Sequence, residues 1–317
     1  MNLIEEAVII EVFGIRMYAF GVYTALGALC AMITLGLMCR FFRTRPGTAA
    51  LTALLSALCG MVVSRLAFCL LNQELGSMMP FHAWSKINGG GWSMFGLIGG
   101  VFLGGWISSR IMKENSGKIA DALAMAILPF IIAERIGENR IQDFDISRAL
   151  DSEWLKHSFL AVGEEEPVLA TYYVAAAVAL ILFIVLMFYI PKARKEGSLA
   201  VRFLILFGAS AIITESLRYD RFLSITFVGL QQVAAALMLA LGVMLAVLCS
   251  NRPKSVLAIS AVASLPIMVG IVIGLEFALD RTTWNKILLY AAMIITVSVP
   301  AILGFRLLKH WKKGVSQ

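Results

Sequence analysis

Nine long apolar stretches, separated by short polar segments, make up most of the sequence. Each is close to the roughly 20 residues that an α-helix needs to cross the hydrocarbon core of a membrane. The pattern therefore predicts an all-α, polytopic membrane protein with about nine transmembrane helices. The predicted spans are 16–38, 48–71, 93–112, 119–137, 168–190, 199–217, 227–249, 255–276 and 286–308.

The composition narrows the class of protein further. Of the 317 residues, 60% are hydrophobic and 15% are charged, and the mean hydropathy is +0.85. A soluble domain of this length needs more polar surface, so the composition excludes an ordinary soluble enzyme, a disordered chain and a nucleic-acid-binding domain. The cysteines and histidines show no metal-ligand spacing, so we predict neither a metal nor a cofactor. The predicted partner is the lipid bilayer.

Basic residues predict the orientation of the spans. With the N-terminus outside, the loops and tail on the inner side contain 15 of the 27 lysines and arginines, whereas the outer side contains nine. Because positive residues concentrate in short cytoplasmic loops, we expect the N-terminus outside and the C-terminus inside. The segment 138–167 is then an acidic loop long enough to form a small cap on the outer surface.

Ionisable side chains gather near the predicted outer ends of four spans, although charges inside a membrane are costly. A single long side chain can reach the interface by snorkelling, but several arginines at one depth suggest a shared ligand. Glu215 and Arg218 can pair along one helix, whereas Arg65 and Arg135 have no such local partner in this interpretation. Arginine matches the geometry of phosphate oxygens, so the pattern predicts a site for an anionic lipid. The residues are Arg16 and Tyr18, Arg65, Glu134 and Arg135, and Glu215 and Arg218.

A glycine-rich segment precedes the third span. The run 89–91 gives the backbone freedom to bring main-chain N–H groups close to a ligand, so Gly90 and Gly91 are candidate binding residues. Gly96, Gly100 and Gly104 follow at intervals of four residues. That spacing favours close packing against another helix.

Several segments, in the same order, resemble the bacterial prolipoprotein diacylglyceryl transferases. They cover roughly residues 10–250, which would form a seven-span family domain with the cap, and leave 251–317 as two additional helices and a basic tail. The segments are IRMYAFG at 15–21, SRL at 64–66, GGWSMFG at 90–96, Asp121 followed by ERIGEN at 134–139, GS at 197–198, ESLR at 215–218 and GLQ at 229–231.

The resemblance implies a reaction and assigns roles to residues. The diacylglyceryl group of phosphatidylglycerol would move to the lipobox cysteine thiol in the signal peptide of a prolipoprotein, in the bacterial inner membrane. Arg135 and Arg218 match the family's functional arginines, Glu215 matches the acidic residue beside one of them, and Tyr18 matches an interfacial tyrosine. Positioned arginines stabilise the charge of the departing phosphate. Arg65 joins the predicted lipid site.

The sequence departs from the family pattern at three places. Phe95 stands where the family has a histidine proposed to deprotonate the thiol, and Ala211 stands where it has an arginine. In the segment after Arg135, an ungapped alignment places Glu138 at a family asparagine and Asp143 at a family glutamate. A one-residue insertion would instead keep Asn139 as the asparagine.

Three functions remain open from the sequence. The first is a divergent diacylglyceryl transferase, and the second is a family member that binds phospholipid but has lost or changed the chemistry. The third is an unrelated transporter of a small anion, although transporters often contain repeated halves and span-breaking glycine or proline near the membrane midplane. No internal repeat is evident in the sequence.

Overall fold

A computed structural model describes residues 8–12, 15–71, 91–138, 153–162, 167–190, 195–218, 224–225, 228–251, 253–309 and 311. Within these residues, a long helix occupies each of the nine predicted span positions. The helices are α1 (Ala19–Phe41), α2 (Thr48–Leu71), α3 (Met94–Met112), α4 (Ser116–Gly137), α5 (Thr171–Tyr189), α6 (Ser198–Leu217), α7 (Leu230–Leu248), α8 (Val256–Arg281) and α9 (Lys286–Leu308). The predicted polytopic helical architecture is confirmed.

Eight of these helices are long and apolar enough to cross a membrane. The other one, α4, carries Asp121, Glu134 and Arg135 in its sequence and is the most enclosed helix of its bundle, with α1 on one side and α3 on another. Polar side chains are tolerated in such a helix because they face protein rather than lipid.

Short strands supplement the helices. β1 (Val8–Val12) pairs antiparallel with β2 (Ile15–Tyr18), with Glu11 opposite Arg16 and Val12 opposite Ile15. Because these residues pair as strands, the first helix begins at Ala19. The predicted start at residue 16 was therefore wrong, and Arg16 lies in a strand. Two smaller antiparallel hairpins are β3 (Ala161–Val162) with β4 (Val168–Leu169), and β5 (Ser224–Ile225) with β6 (Val228–Gly229). A single helical turn, Glu153–Lys156, lies in the predicted cap.

The contacts divide the chain into two compact units, Met1–Met187 and Phe188–Gln317. In the first unit, α1 packs on α4 and α2 packs on α3. In the second unit, α6 packs on α7, and α9 contacts α6, α7 and α8. The predicted family domain ending near residue 250 stays a prediction.

The glycines of α3 explain why α2 and α3 lie so close. A Cβ at Gly100 would stand 2.3 Å from the Cys59 carbonyl oxygen, and one at Gly104 would stand 2.4 Å from the Leu55 carbonyl oxygen. Only hydrogen fits at these contacts, so the predicted packing role of this glycine spacing agrees with the structure. Between the same helices, the Thr52 and Ser108 hydroxyls are 2.8 Å apart, within hydrogen-bonding distance.

Candidate functional site

The helix pairing of the first unit places Tyr18 and Arg135 at the same end of its bundle. Gly27 of α1 lies against Phe130 and Ala133 of α4, and Gly137 lies against Phe20 and Tyr23. These contacts show that α1 and α4 are antiparallel. The start of α1, after Tyr18, therefore lies beside the end of α4, which carries Arg135.

Arg135 lies between two carboxylates. Its Nη1 donates a hydrogen bond of 2.7 Å to Glu138 Oε1, and its Nε lies 3.5 Å from Glu134 Oε2. Only 6% of the Arg135 surface is exposed. The expectation that Arg135 lacks a local partner was wrong, because the end of α4 brings Glu138 three residues later onto the same side. The carboxylates fix the direction of a buried cation.

Arg65 is enclosed near the end of α2. It is 2% exposed, and its Nη1 donates a 2.7 Å hydrogen bond to the carbonyl oxygen of Gly91. The guanidinium carbon lies 5.7 Å from the Phe68 ring centre and 5.8 Å from the Trp92 ring centre, within the range of cation–π attraction. This arrangement holds Gly91, the last residue of the glycine-rich run, against α2.

Hydrogen bonds and one left-handed glycine determine the backbone conformation next to Arg65. Gly91 has φ of +86°, which is accessible to glycine and costly for other residues. Ser64 donates a 2.8 Å hydrogen bond to the Ser93 carbonyl oxygen, and Ser93 caps α3 by accepting from the Gly96 N–H. The Gly91 carbonyl oxygen accepts from Arg65, and the predicted approach of the Gly91 N–H to a ligand stays a prediction.

Phe95, which the resemblance aligns with the family histidine, lies in the first turn of α3 and is partly buried. Tyr18 directly precedes α1 and is exposed at 37% of its surface. The predicted site residues Gly90, Asn139 and Asp143 lie outside the described residues, so the choice between the two alignments after Arg135 stays open.

The second unit carries the other predicted site residues at the end of α6. Glu215 lies in the last turn of the helix, and Arg218 is the first residue after the helix. The Arg218 N–H donates to the Glu215 carbonyl oxygen at 3.2 Å. Ala211, which the resemblance aligns with a family arginine, is buried at 5% exposure. It packs as an apolar helix residue.

Sequence reasoning missed a group of polar side chains in the second unit, of which Glu276 and Gln232 are buried and Tyr290 is partly buried. Glu276 of α8, Gln232 of α7 and Tyr290 of α9 all make hydrogen bonds near the end of α6. One signal was present: Glu276 is an acidic residue in an otherwise apolar stretch of α8, and such residues often mark functional sites.

These arrangements define a polytopic helical membrane protein that carries arginines and carboxylates at the ends of its helices, which is chemistry suited to an anionic group at a membrane interface. A sequence profile of the prolipoprotein diacylglyceryl transferases matches residues 7–248, which include α1 to α7. The chain therefore belongs to the prolipoprotein diacylglyceryl transferase family. Helices α8 and α9 lie beyond the matched residues.

A relative from Mannheimia succiniciproducens is described as a phosphatidylglycerol–prolipoprotein diacylglyceryl transferase. The present chain is 29% identical to it over 181 residues. That stretch covers 56% of this chain and 65% of the relative, so the chain spans just under two thirds of the relative's length.

Proposed function

We propose that this protein transfers the diacylglyceryl group of phosphatidylglycerol to the lipobox cysteine of prolipoproteins in the bacterial inner membrane. The observation that carries the proposal is the buried Arg135, held by Glu134 and Glu138 in a segment that matches the family. A guanidinium fixed in this way can receive a phosphate without first paying the entropy of ordering its side chain. Family membership also favours a lipid substrate over the small-anion transporter.

In the proposed reaction, the cysteine sulfur forms a bond to the glycerol carbon that carries the phosphate. The bond between that carbon and the phosphate oxygen breaks, and glycerol phosphate leaves with the electron pair. Arg135 stabilises the growing charge on the leaving group, and the resemblance to the family assigns the same role to Arg218. The thiol loses its proton to water before the attack, because the thiolate is the nucleophilic form of cysteine.

Arg135 is the first residue to test, because the structure gives its contacts with both Glu134 and Glu138. Arg135→Ala should lower both lipid retention and transfer by tenfold or more, since a charge-assisted contact contributes about 1.5–3 kcal/mol. Arg135→Lys should recover only part of this because it lacks the bidentate fork. The measurements are native mass spectrometry of bound phosphatidylglycerol and transfer of labelled diacylglycerol to a lipobox peptide by reconstituted protein.

Arg110→Ala provides the matched control. Arg110 is an exposed arginine in the last turn of α3, at the opposite end of the first unit from Arg135. Its replacement should leave lipid retention and transfer unchanged. If Arg135→Ala retains as much phosphatidylglycerol and activity as the control, Arg135 is a structural residue and the proposed headgroup site is wrong.

Phe95 favours a second candidate function, because a phenylalanine cannot accept a proton from the acceptor thiol. In that alternative, the protein binds phosphatidylglycerol through the same arginines but transfers the lipid to another acceptor or not at all. Phe95→His separates the two: a positioned general base contributes about 10²–10⁴-fold, so the variant should be faster if the transferase site is intact. No product from either protein, under conditions where a histidine-containing relative is active, would favour the binding function.

A further inference from the structure

The two helices beyond the family match pack closely against helices within it. A Cβ at Gly304 of α9 would lie 3.0 Å from Ile205 Cδ1 of α6 and 3.3 Å from Val243 Cγ2 of α7. Helix α9 therefore lies in contact with both. The antiparallel pairing of α6 with α9 places the start of α9 beside the end of α6.

Tyr290 of α9 contacts the turn that carries the predicted headgroup residues. The last carbonyl groups of an α-helix have no donor within the helix. At the end of α6, the Arg218 N–H donates to the Glu215 carbonyl oxygen, and the Tyr290 hydroxyl donates to the Ser216 carbonyl oxygen at 3.3 Å. Tyr290 thus binds the backbone between Glu215 and Arg218.

Glu276 of α8 reaches the same helix through a glutamine. Its Oε1 accepts a 2.7 Å hydrogen bond from Gln232 Nε2, and this nitrogen also donates to the Ile212 carbonyl oxygen of α6 at 3.2 Å. Glu276 is 2% exposed and Gln232 is 4% exposed. An amide nitrogen has two hydrogens, so Gln232 can serve both acceptors. Glu276 therefore orients the side chain that holds α6 about one turn before Glu215.

We propose that Tyr290 and Glu276 are positioning residues for the turn that contains Glu215 and Arg218, so that α8 and α9 form part of the lipid headgroup site of this protein. Tyr290 of α9 contacts this turn directly, and Glu276 of α8 acts on the turn before it through Gln232 of α7. The inference rests on the proposed function in one respect, which is that Glu215 and Arg218 bind the headgroup. It gives the two additional helices a role in the site.

Tyr290→Phe in the full-length protein removes only the hydroxyl group. Amide hydrogen exchange in the last turn of α6 should increase about two- to tenfold, the effect expected from the loss of one hydrogen bond. Exchange at the start of α6 should not change. The KM for phosphatidylglycerol should rise, or kcat fall, by a similar factor. A uniform increase of exchange throughout α6 to α9 would indicate general destabilisation and would overturn the positioning role.

Tyr173→Phe is the matched control for this substitution. Tyr173 lies in the first turn of α5, outside the second unit, and its described ring contact with Tyr172 does not require a hydroxyl. The control should leave exchange in α6 and transfer unchanged. Equal exchange in the last turn of α6 in Tyr290→Phe and Tyr173→Phe would refute a role for the Tyr290 hydroxyl.

Glu276→Gln and Glu276→Leu test the second contact. Gln retains an oxygen that can accept from Gln232, whereas Leu leaves a buried donor of Gln232 without its acceptor. We expect Glu276→Gln to remain within about threefold of wild-type transfer and Glu276→Leu to lose about tenfold or more. Equal losses in the two variants would contradict the role of Glu276 as a hydrogen-bond acceptor.

A double-mutant cycle separates this inference from the proposed function. If Tyr290 acts through the turn, Tyr290→Phe should weaken phosphatidylglycerol retention in the wild-type background and have little further effect with Arg218→Ala. Additive losses would overturn the inference. Absence of transfer by the wild-type protein would instead refute the proposed reaction, and the exchange and lipid-retention measurements would still decide whether Tyr290 and Glu276 position the turn.

Discussion

At the scale of single residues, the local neighbours of each arginine determine how it can act. Arg135 is held by two carboxylates at the end of α4, whereas Arg65 donates to a backbone carbonyl group and lies near two aromatic rings. The first arrangement orients a cation at a helix end. The second fixes the position of the segment before α3, so Arg65 has a structural task in addition to any contact with lipid.

Gly91→Ala tests that structural task. Alanine at φ of +86° is strained, and its Cβ would lie 2.3 Å from the Phe68 ring, beside Arg65. Gly47→Ala is the control, because Gly47 has φ of +83° but its Cβ would meet only Met112 Cε, at 4.0 Å. Both substitutions should cost about 1–2 kcal/mol of backbone strain. Gly91→Ala should lower the thermal unfolding temperature in detergent further, and equal losses would show that Phe68 moves away without cost.

At the scale of helices, α3 depends on its glycine face for contact with α2. The two backbones approach so closely at Gly100 and Gly104 that hydroxyl–hydroxyl and hydroxyl–carbonyl hydrogen bonds form between the helices. Such contacts stabilise helices in a membrane, where the hydrophobic effect does not drive helix association.

Gly100→Ala and Gly99→Ala are neighbouring substitutions with opposite expected effects. A Cβ at Gly100 would lie 2.3 Å from the Cys59 carbonyl oxygen, whereas one at Gly99 meets nothing within 4 Å. Gly100→Ala should destabilise the protein by about 1–3 kcal/mol, and Gly99→Ala should stabilise it by about 0.5–1 kcal/mol because alanine has the higher helix propensity. Thermal unfolding in detergent provides the comparison. A stabilising Gly100→Ala would mean that α2 and α3 separate easily.

At the scale of the whole molecule, the distribution of basic residues predicts which side of the membrane carries the site. In that orientation, the alternation of spans along the sequence predicts that the segment after Arg135 and the segment after Arg218 are on the outer side. Phosphatidylglycerol would then bind from the outer leaflet.

Cysteine labelling tests the orientation. Glu165→Cys, in the predicted outer cap, should react with an impermeant maleimide in intact cells, whereas a cysteine at Gln317 should react only after permeabilisation. The physical reason is that the predicted inner side carries 15 lysines and arginines, whereas the predicted outer side carries nine. The reverse labelling pattern would invert the topology and place the lipid site in the inner leaflet.

The nine helix positions could be predicted from the sequence because apolar length is a local property and a membrane imposes it directly. The family could also be identified from the order of short segments around Arg135 and Glu215. The start of α1 could not be predicted, since it depends on pairing between 8–12 and 15–18.

The carbonyl partner of Arg65 and the contacts of Glu276, Gln232 and Tyr290 were decided only by the tertiary structure. The carboxylate partners of Arg135 are local, because they lie next to it and three residues after it in the sequence. Hydropathy shows that Glu276 is costly in an apolar helix, but it does not show what compensates the cost. The compensation comes from Gln232 on another helix, 44 residues away along the chain. Such a pair depends on how antiparallel helices align, which the local sequence does not encode.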